Sequence, residues 1–586
     1  MAEKRPGSAR DAFLPSTARC AGPVHRSVHR SDPPPAPFDG SGRRRVFSAG
    51  ERETVAESQD ETRSAMRGKG GKSRGLLILW SAAALLLLAG ATSRLVGAQE
   101  AEAGTEVVQE ATDSAQATGV GGVSGDVPST TDQIVLGETR TAVDVPFYQR
   151  LLSIFGMIAM LGLAWLMSVD RKTIQWRVVI WGMGLQLLFA LFILKTPVGA
   201  AIFAGLNDVI LALLAFTNDG AAFLFGNLVT DTVPVTEPGG GAVEYVAQTG
   251  ASFAFSVLPT IIFFSSLMTV LYHLGIMQAA VKGMAWVMMR TMRTSGAETL
   301  SAAGNIFVGQ TEAPLLIKPF IERMTMSELN AIMTGGFATV AGGVMAAYVG
   351  MLVAYFPDIA GHLLAASVMS APAALVVAKL MYPEQEEPVT RTSLKVEVES
   401  PDVNVIDAAA RGAGDGMTLA FNVGAMLLAF LALIALMNSL LGLVAGWIGL
   451  EALLQGWGAL GPEQGLTLET LLGWALAPLA WVMGVPWADA VAVGSLLGIK
   501  TVANEFVAYL QLQEILAGDG LSARAVVITT YALAGFANFS SIAIQIGGIG
   551  GIAPSRRSDL SKVGLRAMIG GTLAAFLTAT IAGILV

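Results

Sequence analysis

The chain has 586 residues, of which 53% are hydrophobic and only 14% are charged, and its mean hydropathy is +0.58. This composition excludes an ordinary set of water-soluble domains and favours a membrane protein. The net charge of -8 says little about partners, because much of it lies in polar segments outside the apolar runs. No nucleic-acid partner is expected. The single cysteine, Cys20, lies near the N-terminus, which excludes a disulfide framework and a thiolate metal site.

The first 146 residues differ in composition from the rest. Residues 1–75 are rich in Arg, Pro and Ser without an apolar period, which predicts a disordered leader. Residues 76–98 follow a basic start, contain an apolar run and end in small residues, as secretory signal peptides do. This indicates that Met66 is the true initiator; an ordinary first span is the alternative. Residues 99–146 are acidic and predict a flexible extracytoplasmic tail.

Eight later runs approach or exceed the roughly 20 apolar residues that cross a hydrocarbon core. The predicted fold class is therefore an all-α polytopic membrane protein with eight core transmembrane helices in the lipid bilayer. The runs are Leu151 to Val169, Arg177 to Leu194, Phe255 to Ile276, Leu329 to Tyr355, Leu363 to Met381, Met417 to Ala445, Ala525 to Ile546 and Val563 to Val586.

Basic residues set the predicted orientation. Lys and Arg cluster in the connections that should face the cytoplasm, whereas residues 196–254 and 446–498 contain neither. With eight spans, both mature termini are expected on the extracytoplasmic side of the inner membrane. Counting only one of the two runs Ala200 to Phe216 and Leu468 to Met483 as a full span would place later basic loops on the outer side. We therefore expect these two runs to form interfacial or partly inserted helices.

Polar residues interrupt the apolar runs in four places. An amide or charged group in the hydrocarbon region costs about 2.5 to 3.5 kcal/mol on insertion scales, so such groups face a protein interior or an aqueous cavity. Neighbouring Gly, Ser, Thr and Asn permit a broken helix and close backbone approach. The four clusters are Asn305 to Glu312, Gly335 to Tyr348, Gly498 to Tyr509 and Ala534 to Gly551.

The four clusters form an internal repeat. Glu312 is followed 27 residues later by Thr339, which ends the motif GFAT, and Glu505 is followed 33 residues later by Asn538, which ends GFAN. In each half a Glu-bearing apolar hairpin thus precedes a span that is broken after Gly-Phe-Ala. The hairpins enter from opposite sides, as in the inverted repeats of secondary transporters. We therefore predict two opposed re-entrant helical hairpins.

The predicted organisation after residue 146 has four parts. Their expected contents are, in order, the N-terminal spans with interfacial helices, the first hairpin with the following spans, a cytoplasmic polar loop, and a scaffold span with the second hairpin and the final two spans. The corresponding boundaries are 147–296, 297–382, 383–416 and 417–586.

Several long motifs closely resemble the signature segments of the concentrative nucleoside transporter family. They are GNIFVGQTEAPLLIKPF, GSLLGIKTVANEFVAY, GFANFSSIAIQIGGIGGIAPSRR, IQWRVVIWGMGLQLLFALFILKTPVG and FAFSVLPTIIFFSSLMTVLYHLGIMQ. The resemblance covers roughly Leu151 to Val586. It implies a homotrimer that imports nucleosides by cation symport through alternating access, and no enzyme activity.

The resemblance also implies the site residues. The first hairpin and the fourth span would recognise the base, and the second hairpin and the seventh span would recognise the ribose. The implied substrate-binding residues are Gln310, Thr311, Glu312 and Val344 for the base and Glu505, Phe536, Asn538 and Ser541 for the ribose. The implied sodium ligands are Asn305, the carbonyl of Val308, the hydroxyl of Thr339 and the carbonyl of Val340. These oxygen donors suit a hard cation.

Two alternatives remain open at this point. A proton-coupled symporter would need a titrating group, and Glu312 or Glu505 could serve. A nucleoside sensor on the same fold would bind nucleosides without transporting them. For a nucleoside site of either kind, analogues that lack ribose hydroxyls should bind more weakly, because a buried site built for hydroxyls would keep unpaired polar groups.

Overall fold

The computed structural model describes most of the chain after residue 145, and the predicted leader, signal-peptide-like segment and nearly all of the predicted tail lie outside the described residues. The regular secondary structure of the described residues is helical apart from one antiparallel ribbon, in which β1 (Thr232–Val235) pairs with β2 (Tyr245–Gln248). The sequence did not predict this ribbon. The described residues are 146–229, 232–235, 245–248, 253–391, 402–457, 459–461, 464–518 and 520–586.

The N-terminal part contains five long helices. Thr196 caps the third of them, because its side-chain oxygen accepts a hydrogen bond from the backbone N–H of Gly199 at 3.0 Å, and Pro197 takes the first helical position. A positive φ of 57° at Gly226 ends this helix. The helices are α1 (Phe147–Leu166), α2 (Trp176–Lys195), α3 (Pro197–Phe225), α4 (Leu258–His273) and α5 (Ile276–Met292).

The central part begins with the first hairpin and a broken span. The backbone between the two halves of that span is extended at Thr339, with φ -122° and ψ 164°. The elements are α6 (Gly296–Gly304), a 3-10 helix (Ala313–Ile317), α7 (Lys318–Ile321), α8 (Met326–Ala338), α9 (Gly342–Leu352) and α10 (Ile359–Met381).

The C-terminal part follows a 43-residue helix, α11, and contains the second hairpin and a second broken span. Helices α13 and α14 are bent by 118° at their junction, so they do not form one straight span. The elements are α11 (Val405–Trp447), α12 (Leu450–Gly456), α13 (Leu468–Val482), α14 (Trp487–Val502), α15 (Glu505–Ala517), α16 (Ala523–Leu533), α17 (Phe539–Ile552) and α18 (Arg557–Leu585).

Within the described residues, eight helical segments are long and apolar enough to cross a membrane. Seven coincide with predicted spans. The predicted seventh span is divided into α16 and α17, each shorter than a full crossing, and α3 supplies the eighth segment. Helix α3 is longer than the apolar run that predicted it, and its interfacial placement stays a prediction that rests on the distribution of basic residues.

The structure shows the predicted repeat, because its two halves have the same order of elements. In both halves a hairpin precedes a span that is broken in the middle, and a continuous helix follows. The two continuous helices, α10 and α18, are the most deeply buried unbroken spans. Of the 18-residue apolar stretch in each, 89% of the residues are buried in α10 and 83% in α18. They therefore form the core against which the broken spans pack.

The two broken spans touch each other at their breaks. Gly535, between α16 and α17, has a φ of 149°, and a Cβ there would lie 2.8 Å from the carbonyl oxygen of Phe337 and 3.1 Å from that of Ala338. Phe337 and Ala338 end α8. Only glycine permits both this backbone conformation and this approach. The two breaks, residues 335–342 and 534–541, therefore meet at one junction.

A buried ion pair holds the base of the first hairpin. Ser295 and Glu298 form a capping box at the start of α6. The Nζ of Lys379, on α10, lies 2.7 Å from Glu298 and 3.1 Å from Glu384. Ser295 also donates to Glu328, in the first turn of α8, at 2.5 Å. The starts of α6 and α8 are thus fixed to the end of α10, so the hairpin has a rigid base.

The contact between the breaks generates the first prediction. Substituting Gly535→Ala should destabilise the protein by about 1–3 kcal/mol, because the left-handed backbone and the contact with α8 both become strained. Gly547→Ala, on α17, is the control, since a Cβ there would meet nothing within 4 Å. Thermal unfolding of the purified proteins should show a lower midpoint for G535A alone. Equal midpoints for the two variants would contradict the proposed packing of the breaks.

Candidate functional site

Glu505 begins helix α15 at the tip of the second hairpin. The side chain of Asn504 caps this helix, its Oδ1 accepting from the N–H of Val507 at 2.9 Å. The cap fixes the start of the helix beside the junction. A helix N-terminus is also a favourable place for a negative charge. The local sequence Asn-Glu therefore sets both the break and the position of a buried carboxylate.

Two side chains hydrogen-bond to the Glu505 carboxylate. The hydroxyl of Tyr348 donates to its Oε1 at 3.0 Å, and the Nδ2 of Asn538 donates to its Oε2 at 2.9 Å. All three residues are buried. The bonds join α9, α15 and the break before α17, so the structure brings the predicted pair of Glu505 and Asn538 together.

The orientation of Asn538 follows from its role as a helix cap. Its Oδ1 accepts from the N–H of Ser541 at 2.9 Å and from the hydroxyl of Ser540 at 2.7 Å. Since the oxygen is used in the cap, the amide N–H₂ must face Glu505. The last residue of the GFAN motif thus caps the start of α17 and supplies a buried hydrogen-bond donor in the same place.

Gln310, at the tip of the first hairpin, connects the two repeats. Its Nε2 donates to the hydroxyl of Ser541 at 3.3 Å, and its Oε1 accepts from the Nε2 of Gln545 at 3.0 Å. Gln545 also donates to the carbonyl of Met333, on α8, at 3.1 Å. The predicted residues Gln310 and Ser541 are therefore in contact, although they lie 231 positions apart.

Three further predicted residues lie at the same junction. Thr311 is half-buried against α17, where its Cγ2 would be 3.2 Å from a Cβ on Gly548. Val344 is buried in the first turn of α9, and Phe536 is buried in the second break. They give the junction apolar surface beside its polar groups.

Glu312 faces a different space. Its Oε2 accepts from the N–H of Gly309 at 2.9 Å, and the side chain lines a cavity of about 220 Å³ between the first hairpin, α4, α9 and α11. Arg411, held by Asp402 at 2.6 Å, lines the same cavity. The structure therefore does not place Glu312 beside the hydrogen bonds of Gln310, although the two residues are nearly adjacent in sequence.

Asn305 lies at the end of α6 and is fully buried. Both polar atoms of its carboxamide are without a hydrogen-bond partner among the described residues. The amide lies against α8, since a Cβ on Gly335 would be 3.4 Å from its Nδ2. The hydroxyl of Thr339 donates to the carbonyl of Gly335 at 3.0 Å. Asn305 and Thr339 thus share Gly335 as a neighbour.

The other two predicted cation ligands are in the same region. The N–H of Gly342 donates to the carbonyl of Phe307 at 3.1 Å, which joins the first hairpin to the first break. Val308 and Val340 are adjacent to this contact, and both are buried. A buried carboxamide without a partner, beside a hydroxyl and the carbonyls of a broken helix, fits the oxygen donors that a hard cation prefers.

Family models match most of the described chain. The Na+ dependent nucleoside transporter N-terminus matches residues 155–228, and the C-terminus of the same family matches residues 362–583. A third model, described as Gate, nucleoside recognition, matches residues 254–355. The site at the junction lies within the second and third of these matches.

Two relatives illustrate the similarity. An uncharacterized transporter of Haemophilus influenzae is 45% identical over 438 residues, which are 74% of this chain and 97% of that protein. The rat sodium/nucleoside cotransporter 1 is 42% identical over 451 residues, which are 75% of this chain but only 64% of the rat protein.

Solved structures agree with the sequence comparison. CNTnw in an inward-facing substrate-bound state is 42% identical, with a TM-score of 0.64, and the match covers 75% of this chain and 98% of CNTnw. A CNTnw variant in an outward-facing state gives a TM-score of 0.65, with 42% identity and coverage of 74% and 97%. The fold is thus that of a polytopic helical transporter. The chain belongs to the concentrative nucleoside transporter family.

Sequence reasoning missed three buried residues at the junction: Tyr348, Gln545 and Lys500. Each lies inside a polar cluster that the sequence singled out, so the signal was present. A tyrosine in an apolar span needs a partner for its hydroxyl, and a buried lysine needs one for its charge. The partners, however, come from distant parts of the chain and could not be read from local sequence.

The Tyr348 contact gives the second prediction. Tyr348→Phe leaves the Oε1 of Glu505 with one donor fewer in a buried site, at a cost of about 1–2 kcal/mol, or roughly 5- to 30-fold in nucleoside affinity. Tyr355→Phe is the control, because Tyr355 is 38% exposed. Calorimetric titration of uridine into the two purified variants measures the difference. An unchanged affinity in Y348F would show that this hydrogen bond does not support the site.

Proposed function

We propose that this protein imports nucleosides across the inner membrane by sodium symport, through alternating access. The observation that carries the proposal is the junction itself: a buried carboxylate–amide pair, Glu505 and Asn538, lies at the second break, and the carboxamide of Asn305, without a hydrogen-bond partner among the described residues, lies against Gly335 at the first. The family description, Na+ dependent nucleoside transporter, and the name of the rat relative, sodium/nucleoside cotransporter 1, support the same function.

The proposed substrate contacts divide between the repeats. Glu505 and Asn538 would bind the ribose, since a carboxylate accepts hydroxyl protons and an amide offers a donor and an acceptor. Ser541 would assist them, with Phe536 covering the sugar. Gln310 and Thr311 would bind the base against Val344. Glu312, which lines the neighbouring cavity, would reach the base only through water. Gln310 would exchange its protein partners for the ligand when the nucleoside binds.

The proposed sodium site consists of Asn305, Thr339 and the carbonyls of Val308 and Val340. Its coupling to the nucleoside has a physical basis in the last turn of α8. Gly335 lies against Asn305, and the next residue, Gly336, lies against the substrate set, because a Cβ there would be 2.9 Å from the Cβ of Gln310. An ion that orders this turn would order Gln310 as well. Each ligand would then strengthen the binding of the other.

The proposed transport cycle uses the repeats as a moving block. The two hairpins and the broken spans would carry nucleoside and sodium past a scaffold that includes α4 and α11. Outward-facing and inward-facing states have been solved for CNTnw, which is similar to this chain. The cavity lined by Glu312 lies between the first hairpin and these two helices, where such a block would slide.

A homotrimer is part of the proposal. Helix α11 exposes large apolar side chains along its length, among them Phe421 at 70% and Leu428 at 76%. Such a surface needs lipid or another copy of the chain. The scaffold helices of three copies would provide the fixed frame, and lipid would cover the rest.

Uptake of labelled uridine into proteoliposomes tests the function. An inward sodium gradient, with the same pH on both sides of the membrane, should drive uridine inside the vesicles above its outside concentration. Asn305→Ala should raise the sodium concentration for half-maximal uptake by about tenfold or more, because one of four proposed ligands is lost. Accumulation that persists without sodium and follows a pH gradient would instead favour proton coupling. Uridine binding without uptake or counterflow would identify a sensor.

A further inference from the structure

A row of buried polar side chains on α6 leads away from the proposed sodium site, and the proposed transport cycle does not use it. Glu298, Ser301 and Asn305 are three and four residues apart, so they lie on one face of the helix. Glu298 is 1% exposed, and Ser301 and Asn305 are fully buried. At the rise of an α-helix, the row is about 10 Å long. It connects the ion pair at the base of the first hairpin with the carboxamide that is proposed to bind sodium.

Helix α8 carries polar side chains that face the same place. Ser327 and Asn330 are three residues apart on this helix, and both are buried. The Nζ of Lys379 donates to the Oγ of Ser327 at 2.9 Å and lies 2.7 Å from Glu298. The Nδ2 of Asn330 donates to the carbonyl of Ala378 at 3.3 Å. The rows on α6 and α8 therefore converge on the end of α10. We call these side chains the polar seam: Glu298, Ser301, Asn305, Ser327 and Asn330.

Three side chains of the polar seam have atoms without a hydrogen-bond partner among the described residues. They are the Oγ of Ser301, the Oδ1 of Asn330 and both polar atoms of Asn305. A buried hydroxyl in a helix commonly bonds to the carbonyl one turn earlier, as Thr530 does at 2.8 Å, but Ser301 does not. Leaving a buried polar atom unpaired costs the full desolvation of that atom. Three such side chains in one seam indicate that a small polar species, water or a cation, supplies the missing contacts.

Lys379 closes the seam at the base of the hairpin. Its ammonium lies between Glu298 and Glu384, at 2.7 and 3.1 Å, and repels a cation that would pass. Glu298 uses its two oxygens differently: Oε1 accepts from the N–H of Ser295 at 2.8 Å in the capping box, and Oε2 contacts Lys379. The ammonium can therefore leave Glu298 for Glu384, whose side chain is 11% exposed, without breaking the cap. Two carboxylates around one ammonium also leave a net negative charge, which favours a cation over an anion.

We propose that the polar seam is the path by which the coupling cation leaves the junction toward the base of the first hairpin, and that Lys379 is its gate. Ser301 and Asn330 supply hydroxyl and amide oxygens along the path, and such donors suit a hard cation. The packed helices α6, α8 and α10 enclose the seam, so it passes cations in single file but not a nucleoside. The nucleoside would leave by another route, through the cavity beside Glu312. That the cation is sodium rests on the proposed function, whereas the access of small cations to the seam does not.

Silver ions test the path, because Ag+ is a small monovalent cation that binds soft thiolate ligands. In a Cys20→Ser background, which removes the single cysteine of the chain, Ser301→Cys places a thiol in the seam. Thr529→Cys, on α16, is the matched control: Thr529 is also fully buried and its hydroxyl also lacks a partner among the described residues, but it lies outside the seam. The purified proteins are exposed to Ag+ in nitrate buffer, and the thiols that stay free are counted after unfolding. S301C should be blocked about tenfold faster than T529C or more, since T529C reacts only when the structure opens locally.

The gate is tested by removing its charge in the S301C protein. Lys379→Met should speed the reaction with Ag+ by about fivefold or more, because the repelling ammonium is gone. Glu298→Gln is the second variant in case K379M does not fold. Glutamine still caps α6 but holds the ammonium less tightly, so the reaction should again be faster. Lys379→Arg, which keeps the charge, should leave the rate near that of S301C alone.

Equal rates for S301C and T529C would overturn the path, and a rate that neither K379M nor E298Q changes would overturn the gate. Sodium nitrate, compared with choline nitrate, should slow the blocking of S301C severalfold, because a cation bound at the adjoining Asn305 repels a second one. A fast reaction that sodium does not slow would instead count against the proposed sodium site and leave the path intact.

Discussion

A helix that is broken inside a bilayer must satisfy its freed backbone groups within the protein, and the rest of this structure depends on that constraint. Asn504 and Asn538 cap the helices that restart after the second hairpin tip and the second break. Lys500 and Tyr509 bond to the carbonyls at the end of α16. Asn504 caps the helix that Glu505 begins, and Asn538 donates to the Glu505 carboxylate. The groups that make the breaks tolerable are therefore the groups that build the site.

The contact between the two breaks turns two local features into one site. Gly535 lets the second break lie against the backbone of Phe337 and Ala338, so the hydrogen-bonding groups of both repeats meet. The last turn of α8 then touches Asn305 through Gly335 and Gln310 through Gly336. Adjacent residues of one helical turn thus connect the proposed ion site with the proposed nucleoside site. This single turn is enough to couple the binding of the two ligands.

Much of the fold could be predicted from the sequence, because apolar runs, polar interruptions and the GFAT and GFAN motifs are local patterns. The family resemblance implied Glu505, Asn538, Gln310 and Ser541 as site residues, but the hydrogen bonds that join Glu505 to Asn538 and Gln310 to Ser541 are seen only in the structure. The partners Tyr348 and Gln545 could not be predicted, since they depend on helices that are distant in sequence. No periodic pattern in the sequence indicated the short ribbon or the full length of α3. The side chain of Glu312 points away from that of Gln310, because side-chain direction changes along a loop.

The central claim is that sodium and nucleoside bind at one junction and strengthen each other's binding. Calorimetric titration of uridine into the purified wild-type protein, at sodium concentrations from far below to far above saturation, tests it most directly. Sodium should lower the uridine Kd, and uridine should lower the sodium Kd by the same factor, as linkage requires. A uridine Kd that is independent of sodium, with choline as the replacing cation, would contradict the claim.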